Sequence, residues 1–366
     1  MNHTILNIDK TNWKPVKFGE VVAEPKEICK DIVVEGIEHV VGLEHIDTGD
    51  VHLRKSATIE ESTTFSKKFK KGDVLFGRRR AYLKKAAQAD FDGICSGDIT
   101  VFRVKKELSS ALLPFIVNND KFFDYAVKHS AGGLSPRVKF KDLANYEFLL
   151  PPKADQDHLA ELLWAMDELI EKEKVALEKL ENLKLSFVKF EIFEKSVNEK
   201  IDFVKLGDIF DIKTGNKNAE DSVKDGIYPF FTRSIDTQRI DTYNYDQEAL
   251  ILPGEGNFQI KYYSGKFDVH QRTYILSKKI DSEINLKLYR DIVQAKVGEL
   301  VQKSVGSTVD SLRKPIIENI KVPFLSTNKQ KNLLEQSSIQ DANISNFKMK
   351  LSASQSLQKG LINQIF

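Results

Sequence analysis

The chain has 366 residues, 41% of them apolar and 30% charged, enough for two domains of ordinary size. Its 55 Lys and Arg against 53 Asp and Glu give a formal net charge of +2, so total charge does not mark a nucleic-acid binder. Any such role must rest on local clusters. No apolar run is long enough for a membrane span, and the opening MNHTILNIDKTNWK lacks a signal-peptide pattern. With only Cys29 and Cys95 present, the expectation is a cytoplasmic protein with reduced thiols.

Residues 1–150 read as one α/β domain, opened by Lys17-Phe18-Gly19-Glu20-Val21. Val33 to Val41 is rich in β-branched residues and broken by Gly36. Lys71-Gly72-Asp73 is a turn before a short strand, Val74 to Phe76. Gly77 to Lys85, GRRRAYLKK, follows with five cations in nine residues, the densest positive charge in the chain. Gly77 allows close backbone approach, and Tyr82 stands among Arg78, Arg79, Arg80, Lys84 and Lys85, so the stretch suits phosphate contact. Arginine can also grip guanine with two hydrogen bonds. A solvated basic turn is the other reading.

Phe91 to Asp98 then links to a strand at Ile99 to Val104. Pro114 to Lys128 has helical spacing, with Phe115, Ile116, Phe122, Phe123 and Val127 on a face that reads as core. The loop Ala131 to Lys139 carries Arg137, Lys139 and the Ser135 hydroxyl into a short helix at Lys141 to Asn145. Loops of this composition approach phosphates through backbone N–H groups, or serve as plain connectors.

Residues 151–195 read as a long helix. Pro151 and Pro152 end the preceding element, and Asp155 stands at the expected N-cap. Leu159, Leu162, Met166, Leu169, Glu173, Ala176, Leu180, Leu183, Phe187 and Phe190 step by threes and fours, with Leu163, Ile170 and Leu177 widening the stripe. The pattern is a coiled-coil seam with one polar interruption, Glu173. A helix of that length needs a partner.

Residues 196–321 repeat the plan. Lys205-Leu206-Gly207-Asp208-Ile209 matches the opening of the first half, and a strand at Ala249 to Leu252 matches Val74 to Phe76. Gly254-Glu255-Gly256 is too short and acidic for a phosphate loop. Asn257, Gln259, Lys261 and Tyr262 could hydrogen-bond base edges and phosphates. Gln271 and Arg272, beside His270, precede a strand at Thr273 to Leu276. Val305 to Lys314, with Arg313 and Lys314, is the counterpart of the 132–139 loop and leads to a short helix at Ile316 to Asn319.

Residues 322–366 echo the first long helix. Without gaps, Gln156 falls on Gln330, Leu159 on Leu333, Asp167 on Asp341, Ile170 on Ile344 and Leu177 on Leu351. Thr327 or Asn328 sits near the N-cap. This copy is more polar, which suits a helix lying against the first through Ile344, Phe347 and Leu351, opposite Leu159, Leu162, Met166, Leu169, Leu180, Leu183 and Phe187. The long period indicates duplication of a globular-domain-plus-helix unit.

Two unlike α/β domains, each followed by a related proline-flanked helix, resemble the specificity subunit of Type I restriction–modification enzymes. LLPPKADQDHLAELLWAMDELIEK and its C-terminal echo carry the resemblance most specifically. KGDVLFGRRRAYLKKAAQADFDGICSGD, ILPGEGNFQIKYYSGKFDVHQR, GGLSPRVKFKDL and GSTVDSLRKPII support it across essentially the whole chain. The resemblance implies two target-recognition domains whose helices form an antiparallel coiled coil, acting as a ruler between two DNA half-sites. It also implies docking of two methyltransferase subunits, on which S-adenosylmethionine would sit, with no cofactor bound directly. Whether restriction (translocase and nuclease) subunits join stays open. The DNA contacts expected are Arg78, Arg79, Arg80, Tyr82, Lys84, Lys85, Arg137 and Lys139 in the first half. In the second they are Asn257, Gln259, Lys261, Tyr262, Gln271, Arg272, Arg313 and Lys314.

A catalytic role has little to stand on. Leu150-Pro151-Pro152-Lys153 is not a methyltransferase motif, and no P-loop, His-Glu-x-x-His or Cys-x-x-Cys occurs. No catalytic or metal-ligating residues are assigned. The competing reading is a coiled-coil adaptor that binds proteins without reading DNA.

Overall fold

The computed structural model describes residues 8–58, 64–256, 258–303 and 311–366. The chain divides into two compact units, residues 1–174 with 349–366, and residues 175–348. The boundaries fall inside the two long helices, so each helix contributes to both units.

In the first unit, Lys14–Lys17 pairs antiparallel with Glu147–Leu150, so the strand entering the domain meets the strand leaving it for the long helix. A four-stranded antiparallel sheet runs Val22–Ala23, Ile99–Val104, Val74–Gly77, Ala86–Gln88. A smaller sheet joins Val40–Val41, Gly93–Cys95 and Lys67–Phe69. Strands thus form at Val74 and Ile99 as the apolar runs predict. Val33 and Val34 do not join Val40 in a strand. The Asp31 carboxylate accepts from both of their N–H groups at 3.0 Å, and the turn it closes leaves their side chains exposed. The helical stretch after Pro114 is two helices, Leu113–Val117 and Asp120–Lys128. Asn119 caps the second by accepting from Phe122 N–H at 3.0 Å. Phe18, Phe76, Phe102, Phe115, Phe122 and Phe123 fill one core with Ala160 and Leu163, and Leu361, Ile362, Ile365 and Phe366 complete it.

The second unit repeats the entry. Phe203–Lys205 pairs with Lys321–Pro323, and the carboxylates of Glu20 and Asp208 accept from Lys17 and Lys205 N–H at the same point of each repeat. Its main sheet has six strands, in the order Phe210–Thr214, Thr273–Lys278, Tyr245–Pro253, Lys261–Val269, Tyr228–Phe231, Gln238–Ile240. The helix Leu286–Ala295, not among the expected elements although Asn285 caps it and its apolar residues recur at helical spacing, packs Leu288, Tyr289, Ile292 and Val293 into the core.

The proximal long helix spans Lys153–Phe187 and continues through a π-helical stretch, Val188–Glu194. Asp155 lies within its first turn, where its charge favours the helix dipole, and is not the N-cap. The distal helix spans Thr327–Ile365. In the first unit Gln358 donates to Leu163 O at 3.5 Å and Lys350 pairs with Glu173 at 3.3 Å. In the second, Lys348 pairs with Glu181 at 2.7 Å and Lys184 with Asp341 at 2.5 Å. One helix is read forwards as the other is read backwards, so the pairing is antiparallel in each unit.

The seam is only in part the stripe that apolar spacing selects. Leu162, Leu169 and Leu183 are 44%, 48% and 64% exposed, whereas Gln156, Ala160, Leu163, Asp167, Ile170 and Glu173 are buried. Leu163, Ile170 and Glu173 belong to the expected stripe, whereas Gln156 and Asp167 lie off it and are buried because they find partners. Gln156 accepts from Ser109 N–H at 2.8 Å, and Asp167 meets His52 at 2.6 Å. Leu159 and Met166 pack at the edge of the first core. Leu180, Phe187 and Ile344 are half-buried and line one groove of about 500 Å³, and Phe347 and Leu351 are half-buried as well.

Candidate nucleic-acid interface

In the first unit the strand Val74–Gly77 ends where Arg78 N–H donates to Asp98 O at 2.9 Å. Val138 N–H donates to Arg78 O, Arg80 N–H donates to Pro136 O, and Arg79 bridges Arg137. Three segments far apart in sequence are thus laced together. Asp98 is their hub, accepting from Arg137 Nε at 2.7 Å and Arg79 Nη1 at 3.2 Å. Burial works to raise the Asp98 pKa, but the two guanidiniums overcome it and hold the carboxyl below its ordinary value. Arg79 Nη2 also donates to Ser135 Oγ at 3.1 Å.

Arg80 and Lys84 bracket a tight turn at left-handed φ of 54° and 50°, a costly conformation for side-chain-bearing residues. The turn presents Arg80 and Tyr82 to solvent. Lys84 and Lys85 are committed elsewhere, to Asp120 at 2.5 Å and Leu43 O at 2.7 Å, which makes them structural ties. Lys139 is exposed at the head of the helical turn Phe140–Leu143. Arg78, Arg79 and Arg137 therefore meet at Asp98, Arg80 joins the same lacing through Pro136 O, and Tyr82 and Lys139 are exposed without a contact to Asp98.

The second unit has the same backbone lacing. Pro253 pairs with Thr273 as Gly77 pairs with Ile99. Gly254 N–H donates to Arg272 O at 2.8 Å, Leu312 N–H donates to Gly254 O at 2.9 Å, and Glu255 bridges Ser311. A Cβ on Gly254 would lie 2.7 Å from Arg272 O, so a side chain here would force the backbone apart, although Arg78 holds the matching place in the first unit. Position by position, Glu255 stands where Arg79 stands, and Arg272 where Asp98 stands. Glu255 accepts from Arg272 Nη1 at 2.6 Å and lies 3.6 Å from Arg233.

His270 adjoins this cluster. Burial first, and then Arg233 and Arg272, push its pKa below the ordinary value. Its Nδ1 accepts from Arg272 N–H at 3.1 Å, so the neutral ring carries its proton on Nε2 and offers a donor there. Thr232, Arg233, Ser234, Gln238, His270, Gln271 and Arg272 line a recess of about 590 Å³.

The other expected contacts of this half are dispersed. Gln259, Lys261 and Tyr262 line a different recess. Lys261 is turned back onto Ile235 O at 2.5 Å, and Tyr262 hydrogen-bonds Glu248. Arg313 and Lys314 are exposed at the head of Lys314–Glu318. Asn257 and residues 304–310 lie outside the described residues.

The repeat visible in the backbone also appears in comparison with known proteins. The family described as Type I restriction modification DNA specificity domain matches residues 11–182 and again 198–352, each segment running from the entry strand into a long helix. The chain belongs to that family. A curated specificity-domain relative, the Type I restriction enzyme EcoDI specificity subunit of Escherichia coli, is 32% identical over 133 residues. That match takes in 36% of this chain and 29% of the relative, so it spans under a third of the relative's length. The S subunit of a Type I restriction-modification system from M. genitalium shares the fold, with a TM-score of 0.54 at 16% identity over 100% of this chain and 98% of that one. A chain from a structural study of complex assembly and conformational transition in a type I R-M system gives 0.54 at 19% identity, over 97% and 96%.

Within this specificity-domain chain, sequence reasoning missed Arg233 and the roles of Asp98 and Glu255. Arg233 is a lone cation in FFTRSID, with no local pattern to mark it. Asp98 and Glu255 carry the wrong sign for a DNA-facing cluster until their arginine partners are seen.

Proposed function

We propose that this chain is the non-catalytic DNA-specificity subunit of a Type I restriction–modification complex, its two units reading unlike halves of an asymmetric bipartite site. The observation that carries the reading is the repeated lacing of strand exit, pre-strand turn and helix-approach loop, with arginines clustered on it in both units. Arg79 and Arg137 do this in one unit and Arg272 in the other, where Arg233 joins from beside the lacing through Glu255. Equivalent positions bear different side chains, which suits half-sites of different sequence. The long helices, each continuous across the unit boundary, would set the gap between half-sites. Methyltransferase subunits would supply S-adenosylmethionine and the chemistry, and restriction subunits could join the same complex in the cytoplasm.

The test is methylome sequencing of a host carrying this gene with its neighbouring methyltransferase gene, against deletion of this gene alone. Loss of one gapped, asymmetric methylation motif is expected. Survival of every motif with an active methyltransferase would overturn the reading in favour of a protein-binding scaffold.

Two variants probe the parts. Replacing Arg79 and Arg80 together with Ala is expected to weaken duplex binding and flatten its salt dependence by about one to two units of log–log slope, because fewer counterions are released. Titrations from 50 to 200 mM salt read this directly. The leucines at the exposed positions 162 and 169, seven residues apart on one helix, suit burial against a methyltransferase subunit. Leu162→Glu with Leu169→Glu should abolish co-purification of that subunit while leaving the chain folded by circular dichroism.

A further inference from the structure

Each unit of the chain contains one carboxylate held between two arginines, but the three groups come from different places in the repeat. In the first unit the acid is Asp98 on the pre-strand turn, and its arginines are Arg79 on the strand exit and Arg137 on the helix-approach loop. In the second the acid is Glu255 on the strand exit, and its arginines are Arg272 on the pre-strand turn and Arg233 beyond the strand Tyr228–Phe231. The acid–base pair at the crossing is therefore reversed in sign between repeats, while the composition of the cluster is the same. A shared ancestral backbone accounts for the positions. It does not account for the same chemistry rebuilt from swapped ones.

A carboxylate near DNA costs coulombic repulsion from the phosphates, so a surface built only to hold phosphates has no use for one. Its value is geometric. Glu255 is 10% exposed, whereas the side chains of Arg272 and Arg233 are 61% and 66% exposed. Arg272 donates to the acid through Nη1 at 2.6 Å and Arg233 Nη1 lies 3.6 Å from it, so each guanidinium is anchored through one nitrogen while most of its side chain stays open to solvent. A fixed fork matches the paired O6 and N7 acceptors of guanine, while a phosphate is satisfied by any mobile cation. The recess beside the forks adds neutral groups suited to base edges. They are the hydroxyls of Thr232 and Ser234, the Nε2 donor of His270, and Gln238, whose buried Oε1 has no partner among the described residues.

We propose that Arg272 and Arg233, oriented by Glu255, read guanine in the half-site served by residues 175–348, and that the Asp98 cluster does the same in the other half-site. This rests on the DNA-specificity reading above and names the residues and the base. Glu255 and Asp98 are positioning residues; the arginines make the contact.

The test uses the full complex with its methyltransferase subunits and methylome sequencing of hosts carrying Arg272→Lys, Arg233→Lys and Glu255→Gln. Lysine keeps the charge and loses the fork. The expected result is that a specified G·C pair in one half-site becomes degenerate, with about tenfold or greater loss of discrimination, while the other half-site is unchanged. Glu255→Gln should relax the same position with less effect on total methylation. A variant that no longer methylates is assayed by selecting bound duplexes from a library randomised in that half-site, using purified complex, where the same G·C degeneracy is expected. An unchanged motif in the lysine variants overturns the inference. So does uniformly weaker methylation at an unchanged motif, which would make the arginines phosphate contacts. If wild type itself yields no motif that depends on this gene, the DNA-specificity reading fails instead.

Discussion

Gln330→Ala is expected to destabilise the second unit by roughly 3 kcal/mol, and Gln156→Ala to do the same to the first. The two glutamines occupy the same point of the repeat and are 3% and 1% exposed. Gln330 Oε1 accepts from Asn285 N–H at 2.7 Å, and Nε2 donates to Glu283 O and Leu325 O at 2.7 and 2.8 Å. Gln156 repeats the set, accepting from Ser109 N–H at 2.8 Å and donating to Glu107 O and Pro151 O at 3.0 and 3.1 Å. Each amide thus pins the loop feeding a core helix to the start of a long helix. Alanine leaves one backbone N–H and two carbonyls short of a partner in a site water barely reaches, which is costlier than the simple loss of a hydrogen bond. Urea denaturation gives the total cost. Amide hydrogen exchange supplies the location, with faster exchange expected at Asn285 or Ser109 in the respective variant. Unaltered exchange at those two amides would mean that the loops are held by something else.

The same glutamines show what the sequence could reveal. The gapless alignment of the helices already set Gln156 on Gln330 and Asp167 on Asp341, so the duplication and its register were legible from residue identity. Strands at Val74 and Ile99 were legible because their apolar runs are bounded by Gly72 and Gly97. The helix seam was misjudged in part because counting apolar residues selects the exposed leucines at 162, 169 and 183. The seam also spends positions on Gln156 and Asp167, whose partners lie in the globular domains, and on Lys184, which meets Asp291 there and Asp341 on the distal helix. Those partners are settled by tertiary hydrogen bonds that no periodicity reports. The interface was half visible for a similar reason. A dense run such as GRRR announces itself, whereas Arg233 matters only because a strand of the second sheet ends beside Glu255. Lys84 and Lys261 carried the right charge, but their ammonium groups are taken up by Asp120 and by Ile235 O.

Lys184→Ala should cost the second unit about 3 kcal/mol, the lower end for breaking a buried ion pair. Lys184 is 12% exposed and lies 3.0 Å from Asp291 and 2.5 Å from Asp341. Arg290 reaches both acids at 2.6 Å, and Ser337 Oγ donates to Asp291 at 2.5 Å. Removing the ammonium leaves Arg290 to serve two carboxylates, one of them 7% exposed. Burial acts to raise the Asp341 pKa, but Lys184 and Arg290 outweigh it and hold the carboxyl below its ordinary 3.8. A carboxyl depressed on folding adds stability above its unfolded pKa and loses it as pH falls through the folded one. Wild type should therefore lose this contribution below about pH 4, whereas Lys184→Ala, already without part of it, should show a shallower acid limb in urea denaturation. Replacing Lys184 with Met and Asp291 with Leu together should recover much of the loss, because a buried ion pair and an apolar pair of similar volume differ little in net stability, and these two side chains are 12% and 7% exposed. A double variant no more stable than the single one would place the importance of Lys184 in its contact with Asp341 instead.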